Sequence, residues 1–195
     1  DAAALSTVAE ADGDGFRISG EKAYISNAPD ADIYTLFART TPGAGSRGIT
    51  AFVVSGEMEG VSGETIPMLS PHPLGRIHLD GVYVPKSNVL GEIDHGFRVA
   101  MQTLDLFRPS VGAFAVGMGQ AALDASLAWA RERELFGGKL IDLQATQHTL
   151  AEMATRVDAA RLLVYRAAAA YDAGRPGVTR TSAMAKLYAT ETAQY

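Results

Sequence analysis

The chain has 195 residues, 47% of them apolar, and a formal net charge of -5. This length holds one full domain or two small ones, with enough apolar residues for a packed core. The mild acidity gives no electrostatic support for a nucleic-acid partner, and the absence of cysteine excludes disulfides, thiolate catalysis and cysteine metal ligands.

The first half of the chain has the pattern of short strands separated by turns. Asp12-Gly13-Asp14-Gly15 favours a tight turn, and a Pro/Gly/Ser loop runs from Thr41 to Gly48. Turns this frequent favour an antiparallel β-barrel or sandwich over βαβ units. The predicted strand material is Leu5 to Ala9, Phe16 to Ser19, Ala23 to Ser26, Ile33 to Arg39, Ile49 to Val54 and Arg76 to Val84.

The second half is helical, so we predict an α+β protein: a β domain over residues 1–90, then an antiparallel helical bundle over 91–195. Pro109 lies in the first helical run, where an interior proline costs about 3 kcal/mol. The pattern therefore predicts a break, with a short helix to about Leu106 and a longer one from near Arg108. Gly112 and Gly119 share a narrow face of the longer helix, which permits close approach of another helix.

The next helix carries a seam with coiled-coil spacing. Asp142 is its predicted N-cap and Gly174 its predicted end, and a final helix begins near Val178 and is still running at Tyr195. The seam and the glycine face together predict that the helices pack between subunits. The seam consists of Leu150, Met153, Val157, Ala160, Val164, Ala167 and Tyr171.

Taken singly, the short motifs do not identify a catalytic site. Gly43 to Gly48 matches the dinucleotide pattern GxGxxG, but a strand follows it where a helix is required, so it is predicted to be a hairpin loop. The four histidines have no metal-ligand spacing, and we predict no metal site. Arg131 to Gly137 has the composition of a solvated last helical turn.

Four segments, in order, nevertheless resemble the acyl-CoA dehydrogenase family. The first matches that family's pattern G-x-K-x-[WY]-I-[ST]-N, and the third and fourth match R-x-x-F-G-x-x and Q-x-x-Q-x-x-L-A-x-M. Each segment is weak alone, but together they cover nearly the whole chain. They are Gly20 to Asn27, Gly96 to Phe97 with Leu104 to Pro109, Arg133 to Lys139, and Gln144 to Met153.

The resemblance implies FAD as cofactor and assigns residues to it. Tyr24, Ile25 and Ser26 would lie beside the flavin ring, with Ser26 hydrogen-bonding near N5, the atom that accepts hydride. A second group would reach the FAD of a neighbouring subunit, and its arginine would pair with the pyrophosphate. This group consists of Arg133, Phe136 and Gln144, and the assignment replaces the solvated-turn interpretation.

The resemblance also assigns substrate contacts. Thr40 matches a position that touches the CoA moiety, and Asp105 and Arg108 match a segment that lines the acyl-CoA channel. No catalytic base is assigned, because most members carry it in a loop beyond the point that Tyr195 reaches. A minority carry it one residue before the arginine, where this chain has Phe107.

Two further departures concern the flavin face. Asp1 matches only the last residue of the family's E-P-x-A-G-S-D flavin loop, and no part of these 195 residues is expected to correspond to the family's N-terminal helical domain. Where the family has G-x-R-x-S-x-T, residues 68–74 read Met-Leu-Ser-Pro-His-Pro-Leu.

The function that the resemblance implies is FAD-dependent α,β-desaturation of an acyl-CoA or other acyl thioester in fatty acid metabolism. An electron-transfer flavoprotein is the implied acceptor, and a homo-oligomer, dimer or tetramer, is expected. The first residues lack a secretory signal and no stretch approaches the roughly 20 apolar residues of a membrane span, so a cytoplasmic protein without a membrane partner is expected. Three alternatives remain: a flavin oxidase or monooxygenase of the same fold, a non-catalytic helical assembly module, and an unrelated binding domain.

Overall fold

The computed structural model describes residues 2–69 and 72–195, and the chain divides into two compact units between Met101 and Gln102. The first unit is built on a β-sheet, and the second contains helices with a hydrophobic core of their own. The α+β class is therefore confirmed, while the domain boundary at residue 90 stays a prediction. Asp1, assigned to a flavin loop by resemblance, and Ser70 and Pro71 of the divergent segment lie outside the described residues.

Seven strands form the main sheet: β1 (Val8–Asp12), β2 (Gly15–Ser26), β3 (Ile33–Arg39), β4 (Ile49–Ser55), β5 (Val61–Thr65), β6 (Leu74–Pro85) and β7 (Val89–Leu90). Their order is β5-β6-β2-β1-β3-β4-β7, and the two outer strands pair with one neighbour each. The sheet is open, so of the predicted barrel or sandwich the barrel was wrong. It is also mixed, because β3 pairs with β1 in parallel, through Val8 and Arg39.

The core of the first unit follows from strand alternation, because successive side chains point to opposite faces. In β6, Ile77 and Leu79 are buried while the single residue between them is exposed. The rings of Phe16 and Phe52 meet edge to face at 5.3 Å within this core. Sequence patterning missed β5 and β7, since β5 has one bulky apolar residue, Val61, and β7 has only two residues.

The second half begins with one continuous helix, α1 (Gly96–Glu132), with Pro109 inside it. The predicted break was therefore wrong. Proline has no N–H for the carbonyl four residues earlier, which here is that of Asp105. The Ser182 hydroxyl donates to this carbonyl oxygen at 2.9 Å, and Ser182 is fully buried. A tertiary hydrogen bond thus replaces the missing helical one.

Two more helices, α2 (Gln144–Asp172) and α3 (Val178–Gln194), belong to the second unit. The start of α3 agrees with its prediction, while the helix ends at Gln194 with Tyr195 as its C-cap. The start of α2 differs: Leu143 is its N-cap, while Asp142 ends a short 3-10 turn and accepts from the Lys139 N–H at 2.8 Å. The prediction that Asp142 is the N-cap of α2 was therefore wrong. The predicted end of α2 near Gly174 is confirmed by that residue's left-handed φ of +58°.

The predicted seam on α2 exists, but it is not free to pack between subunits. Most of its members are buried in a core shared with α1 and α3. A Cβ added at Gly112 would stand 3.0 Å from Val164 Cγ2, and one added at Gly119 would stand 3.3 Å from Val157 Cγ2. The glycine face therefore packs within the chain. The antiparallel arrangement of the helices stays a prediction.

One 18-residue window of α1 has a mean hydropathy of 1.2, which makes the helix long and apolar enough to cross a membrane by length and composition alone. The expectation that no stretch approaches the length and apolarity of a membrane span was therefore wrong for this helix. Buried residues of α1, Ala115 and Val116, belong to the core formed with α2 and α3, as expected of a bundle helix. Only 22% of the window is buried, however, so much apolar α1 surface is exposed.

Candidate functional site

The end of β2 carries three of the predicted flavin residues. The pairing of β2 with β6 shifts register between Lys22 and Ile25, and Tyr24 lies in the shifted segment with a left-handed φ of +59°. Such a backbone is uncommon for a bulky residue and clusters at functional sites. It leaves the Tyr24 side chain 72% exposed. Ser26 follows as the last residue of β2 and is also exposed.

A cavity opens beside this strand end, because β1 separates β2 and β3 over only part of their length. β1 pairs with Gly15 to Ser19 of β2 and meets β3 only at Arg39. Beyond those residues a cavity of about 330 Å³ lies between the two strands. It is lined by Lys22, Tyr24, Ile25, Ser26, Ile33, Tyr34, Thr35, Leu36, Phe37 and Ile77.

Lys22 is the cation of this cavity. Burial lowers the pKa of its ammonium group from the ordinary 10.5, because desolvation disfavours the charged form. Among the described residues no ion pair to Lys22 occurs. An apolar cavity with one cation and the Ser26 hydroxyl suits a planar, partly polar ligand.

His72 reaches the same strand end, and sequence reasoning did not anticipate it. Its Nε2 lies 3.3 Å from Ser26 Oγ. The neighbouring backbone is fixed, since the Asn27 N–H donates to the Pro73 carbonyl at 3.0 Å and Ser26 pairs with Leu74. The signal available in the sequence was the departure from the family pattern in residues 68–74.

The second predicted group lies in the other compact unit. Two short strands, β8 (Glu134–Leu135) and β9 (Gly138–Lys139), form a hairpin that follows α1. Phe136 lies at its tip with a φ of +53° and is 94% exposed. Arg133 and Gln144 flank the hairpin and are exposed as well, and the described residues offer Arg133 no carboxylate partner. An exposed ring and an unpaired guanidinium are suited to binding an aromatic and an anionic group.

Thr40 lies in a closed ring of hydrogen bonds with Thr50 and Asp94. The Asp94 N–H donates to Thr50 Oγ1 at 2.8 Å, and the Thr40 hydroxyl donates to Asp94 Oδ1 at 2.6 Å. Because Thr40 has already used its proton, Thr50 is the donor in the 2.7 Å contact between the two hydroxyls. Asp94, with a φ of +66°, was not predicted as part of this site.

Asp105 and Arg108 lie one helical turn apart on α1 and form an ion pair at 3.5 Å. The Asp105 carboxylate also accepts from the Thr179 hydroxyl at 2.5 Å. Both acidic oxygens therefore have partners inside the second unit. Phe107, between them in sequence, is 55% exposed and not part of the described cores, which leaves it available for contact with a ligand or another chain.

No group of three or more His, Asp or Glu side chains that could hold a metal occurs in the described parts of the chain. The predicted flavin and substrate assignments of all nine residues stay predictions. What the structure adds is their local environment: an open strand end, an exposed hairpin tip and two internally satisfied polar clusters.

Comparison with known proteins covers both units. Residues 1–82 match the family model described as acyl-CoA dehydrogenase, middle domain, and residues 94–195 match acyl-CoA dehydrogenase, C-terminal domain. Glutaryl-CoA dehydrogenase of Desulfococcus multivorans is 42% identical over 98% of this chain and 50% of its own length. The caffeyl-CoA reductase-Etf complex subunit CarC of Acetobacterium woodii is 40% identical over 98% of this chain and 51% of its own.

A solved structure of the same family is also similar to this chain. Butyryl-CoA dehydrogenase from Megasphaera elsdenii superposes with a TM-score of 0.93 and 35% identity, over 98% of this chain and 51% of that one. The chain thus spans about half the length of the curated relatives it matches. Both halves match in the family's order, and the chain belongs to the acyl-CoA dehydrogenase family.

Proposed function

We propose that the whole protein is an FAD-dependent acyl-CoA dehydrogenase that desaturates an acyl thioester between Cα and Cβ. The observation that carries this proposal is the strand end at Tyr24 to Ser26. There an exposed aromatic ring and a serine hydroxyl meet at a cavity, in a chain whose family relatives include glutaryl-CoA and butyryl-CoA dehydrogenases.

The family's members are FAD-dependent flavoproteins, and the residues present here fit that cofactor. FAD supplies the hydride acceptor, while the protein supplies binding, orientation and electrostatics. Tyr24 offers a ring face for packing against the flavin, Ile25 an apolar contact and Ser26 a hydroxyl. Arg133 offers a guanidinium that can pair with pyrophosphate oxygens, and Phe136 and Gln144 follow it 3 and 11 residues along the chain.

For the substrate, we propose that Thr40 contacts the CoA moiety. Its proton is held by Asp94, so it offers a methyl group and an oxygen lone pair but no hydrogen to donate. Asp105 and Arg108 line the acyl-CoA channel, where their ion pair fixes the direction of the Arg108 side chain.

The Cα proton needs a base, and we assign none among these 195 residues. The family resemblance places it in a loop outside this segment. The alternative position, Phe107, is apolar and cannot accept a proton. Its 55% exposure favours an open environment over the packed helix junction that a core residue would occupy.

We infer that the protein is a homo-oligomer, a dimer or a tetramer. Since the α2 seam packs within the chain, the expected interface is another face, the α1 stripe, which consists of Leu104, Phe107, Val111, Phe114 and Met118. These side chains recur at helical spacings of 3 and 4 and are all exposed. Uncharged apolar stripes of this kind mark interfaces. Sedimentation of the whole protein at micromolar concentration tests this: a stable monomer would contradict it.

The electron acceptor is proposed to be an electron-transfer flavoprotein. Support comes from the relative CarC, which is described as a subunit of a caffeyl-CoA reductase-Etf complex. We keep the cytoplasm as the proposed location and fatty acid metabolism as the proposed setting. Reduction of a purified electron-transfer flavoprotein by the acyl-CoA-reduced enzyme would test the acceptor directly.

The function is tested by anaerobic titration of the purified whole protein with butyryl-CoA and glutaryl-CoA, with the free acids as controls. The expected result is a yellow protein whose flavin absorption bleaches with a thioester only. A colourless protein would support the assembly-module alternative. Bleaching followed by rapid recolouring in air with formation of hydrogen peroxide would support the oxidase alternative.

A further inference from the structure

Of the two histidines beside β2, only His72 contacts a proposed flavin residue. The backbone holds it there: the Asn27 N–H donates to the Pro73 carbonyl at 3.0 Å, and the Ile66 N–H donates to the Leu74 carbonyl at 2.7 Å. Leu74 also pairs with Ser26 as the first residue of β6. The imidazole is therefore brought to Ser26 by strand pairing, 46 residues away in the chain.

We propose that His72 is a positioning residue for the flavin, acting through its 3.3 Å contact with Ser26 Oγ. The inference rests on the proposed function, since it concerns the hydrogen bond between the Ser26 hydroxyl and the flavin N5. It gives a role to a side chain of the segment where this chain departs from the family pattern.

The directions of the two hydrogen bonds at Ser26 Oγ follow from which of the groups carries a proton. A serine hydroxyl has one proton, and a histidine nitrogen donates or accepts according to its tautomer. The oxidised flavin N5 carries a lone pair and no proton, so Ser26 serves it only as a donor. The contact with His72 must then run the other way, with the Nε2–H donating to Ser26 Oγ.

Reduction of the flavin would remove the hydrogen bond between Ser26 and N5. After hydride transfer N5 carries a hydrogen and no longer accepts, so the hydroxyl proton that His72 directs toward it loses its partner. His72 therefore stabilises the oxidised ring relative to the reduced one. Removing the imidazole frees the hydroxyl to rotate, which makes the bound flavin easier to reduce.

The test compares flavin midpoint potentials of the whole FAD-loaded protein at a pH of about 8.5, above the range in which histidines ordinarily titrate. A net hydrogen bond is worth about tenfold in an equilibrium, which corresponds to roughly 30 mV for a two-electron couple. We expect His72→Ala to raise the potential by about that amount. In His72→Asn, whose amide can still donate a hydrogen bond, the rise in potential is expected to be at most half of that in His72→Ala.

The matched control is His78→Ala. His78 lies on the same strand β6, but its ring faces Glu21 at 3.6 Å, so the potential is expected to stay unchanged. The decisive comparison is made in a Ser26→Ala background. There His72→Ala is expected to leave the midpoint potential unchanged, because the hydroxyl through which His72 acts is already absent. An unchanged potential in His72→Ala, or an equal shift with and without Ser26, would overturn the inference. A whole protein that binds no FAD would instead overturn the proposed function.

Discussion

The hydrogen bond between Ser182 and the Asp105 carbonyl explains how a proline can lie inside α1, and it can be removed by one substitution. Ser182→Ala deletes the hydroxyl that donates at 2.9 Å to the carbonyl that Pro109 leaves without a helical partner. The Thr179 hydroxyl still holds the Asp105 carboxylate, so α3 is expected to keep its position.

The expected loss is large for a single hydroxyl. Removing the partner of this half-buried carbonyl costs roughly 1–3 kcal/mol, because the hydroxyl that serves it belongs to the fully buried Ser182. Pro109→Ala restores an N–H that can donate to the same carbonyl. In that background Ser182→Ala is expected to cost only about 0.5 kcal/mol, a typical value for a substitution that leaves no group unsatisfied. The coupling free energy between the two sites is the difference between these losses, about 0.5–2.5 kcal/mol.

Urea unfolding followed by helical circular dichroism measures the four free energies of unfolding. With a slope of about 2 kcal/mol per molar urea, the Ser182→Ala midpoint is expected to fall by about 1 M. Ser110→Ala is the control, because its exposed hydroxyl bonds a carbonyl of the same helix, that of Phe107. An equal loss in both backgrounds would refute the reasoning, since the hydroxyl would then act independently of the proline.

Three further outcomes are expected. Arg133→Ala should lower FAD retention by about one to two decades, with partial rescue by Arg133→Lys, because a charge-assisted hydrogen bond is worth roughly 1.5–3 kcal/mol. Flavin content equal to that of the neighbouring control Arg131→Ala would instead support the interpretation of Arg133 as part of a solvated helix turn. Phe107→Glu, in the whole protein without its own base, should partly restore flavin bleaching by an acyl-CoA, since a positioned general base contributes about 10²–10⁴-fold. A folded, flavin-loaded variant that never bleaches would show that this helix segment is wrongly aligned with the active site. Lys22→Met should raise the stability of the flavin-free protein at neutral pH, because burial lowers the pKa of Lys22 and the unfolded chain holds the proton more strongly. This advantage should shrink as the pH rises through the lowered pKa toward 10.5, and a pH-independent difference would contradict it.

Local pattern was enough to predict much of the fold. Strands such as Ile33–Arg39 and the helix that starts at Val178 agree with prediction, because alternation and helical periodicity record which side chains are buried. The family resemblance rested on ordered motifs, and both matching family models confirm it. Its residue-by-residue assignments, including Tyr24 and Arg133, remain predictions about a bound cofactor.

The sequence by itself therefore determined the class of the protein, most of its strands, the positions of α2 and α3, and its family. Contacts between distant residues decided the rest, since no local pattern records them. Ser182 allows α1 to run through Pro109, α1 and α3 bury the α2 seam that was predicted to join subunits, and β3 lies parallel to β1. His72 and Asp94 join their sites only because strands and turns far apart in sequence bring them to Ser26 and Thr40, where hydrogen-bond partners are chosen by distance in space.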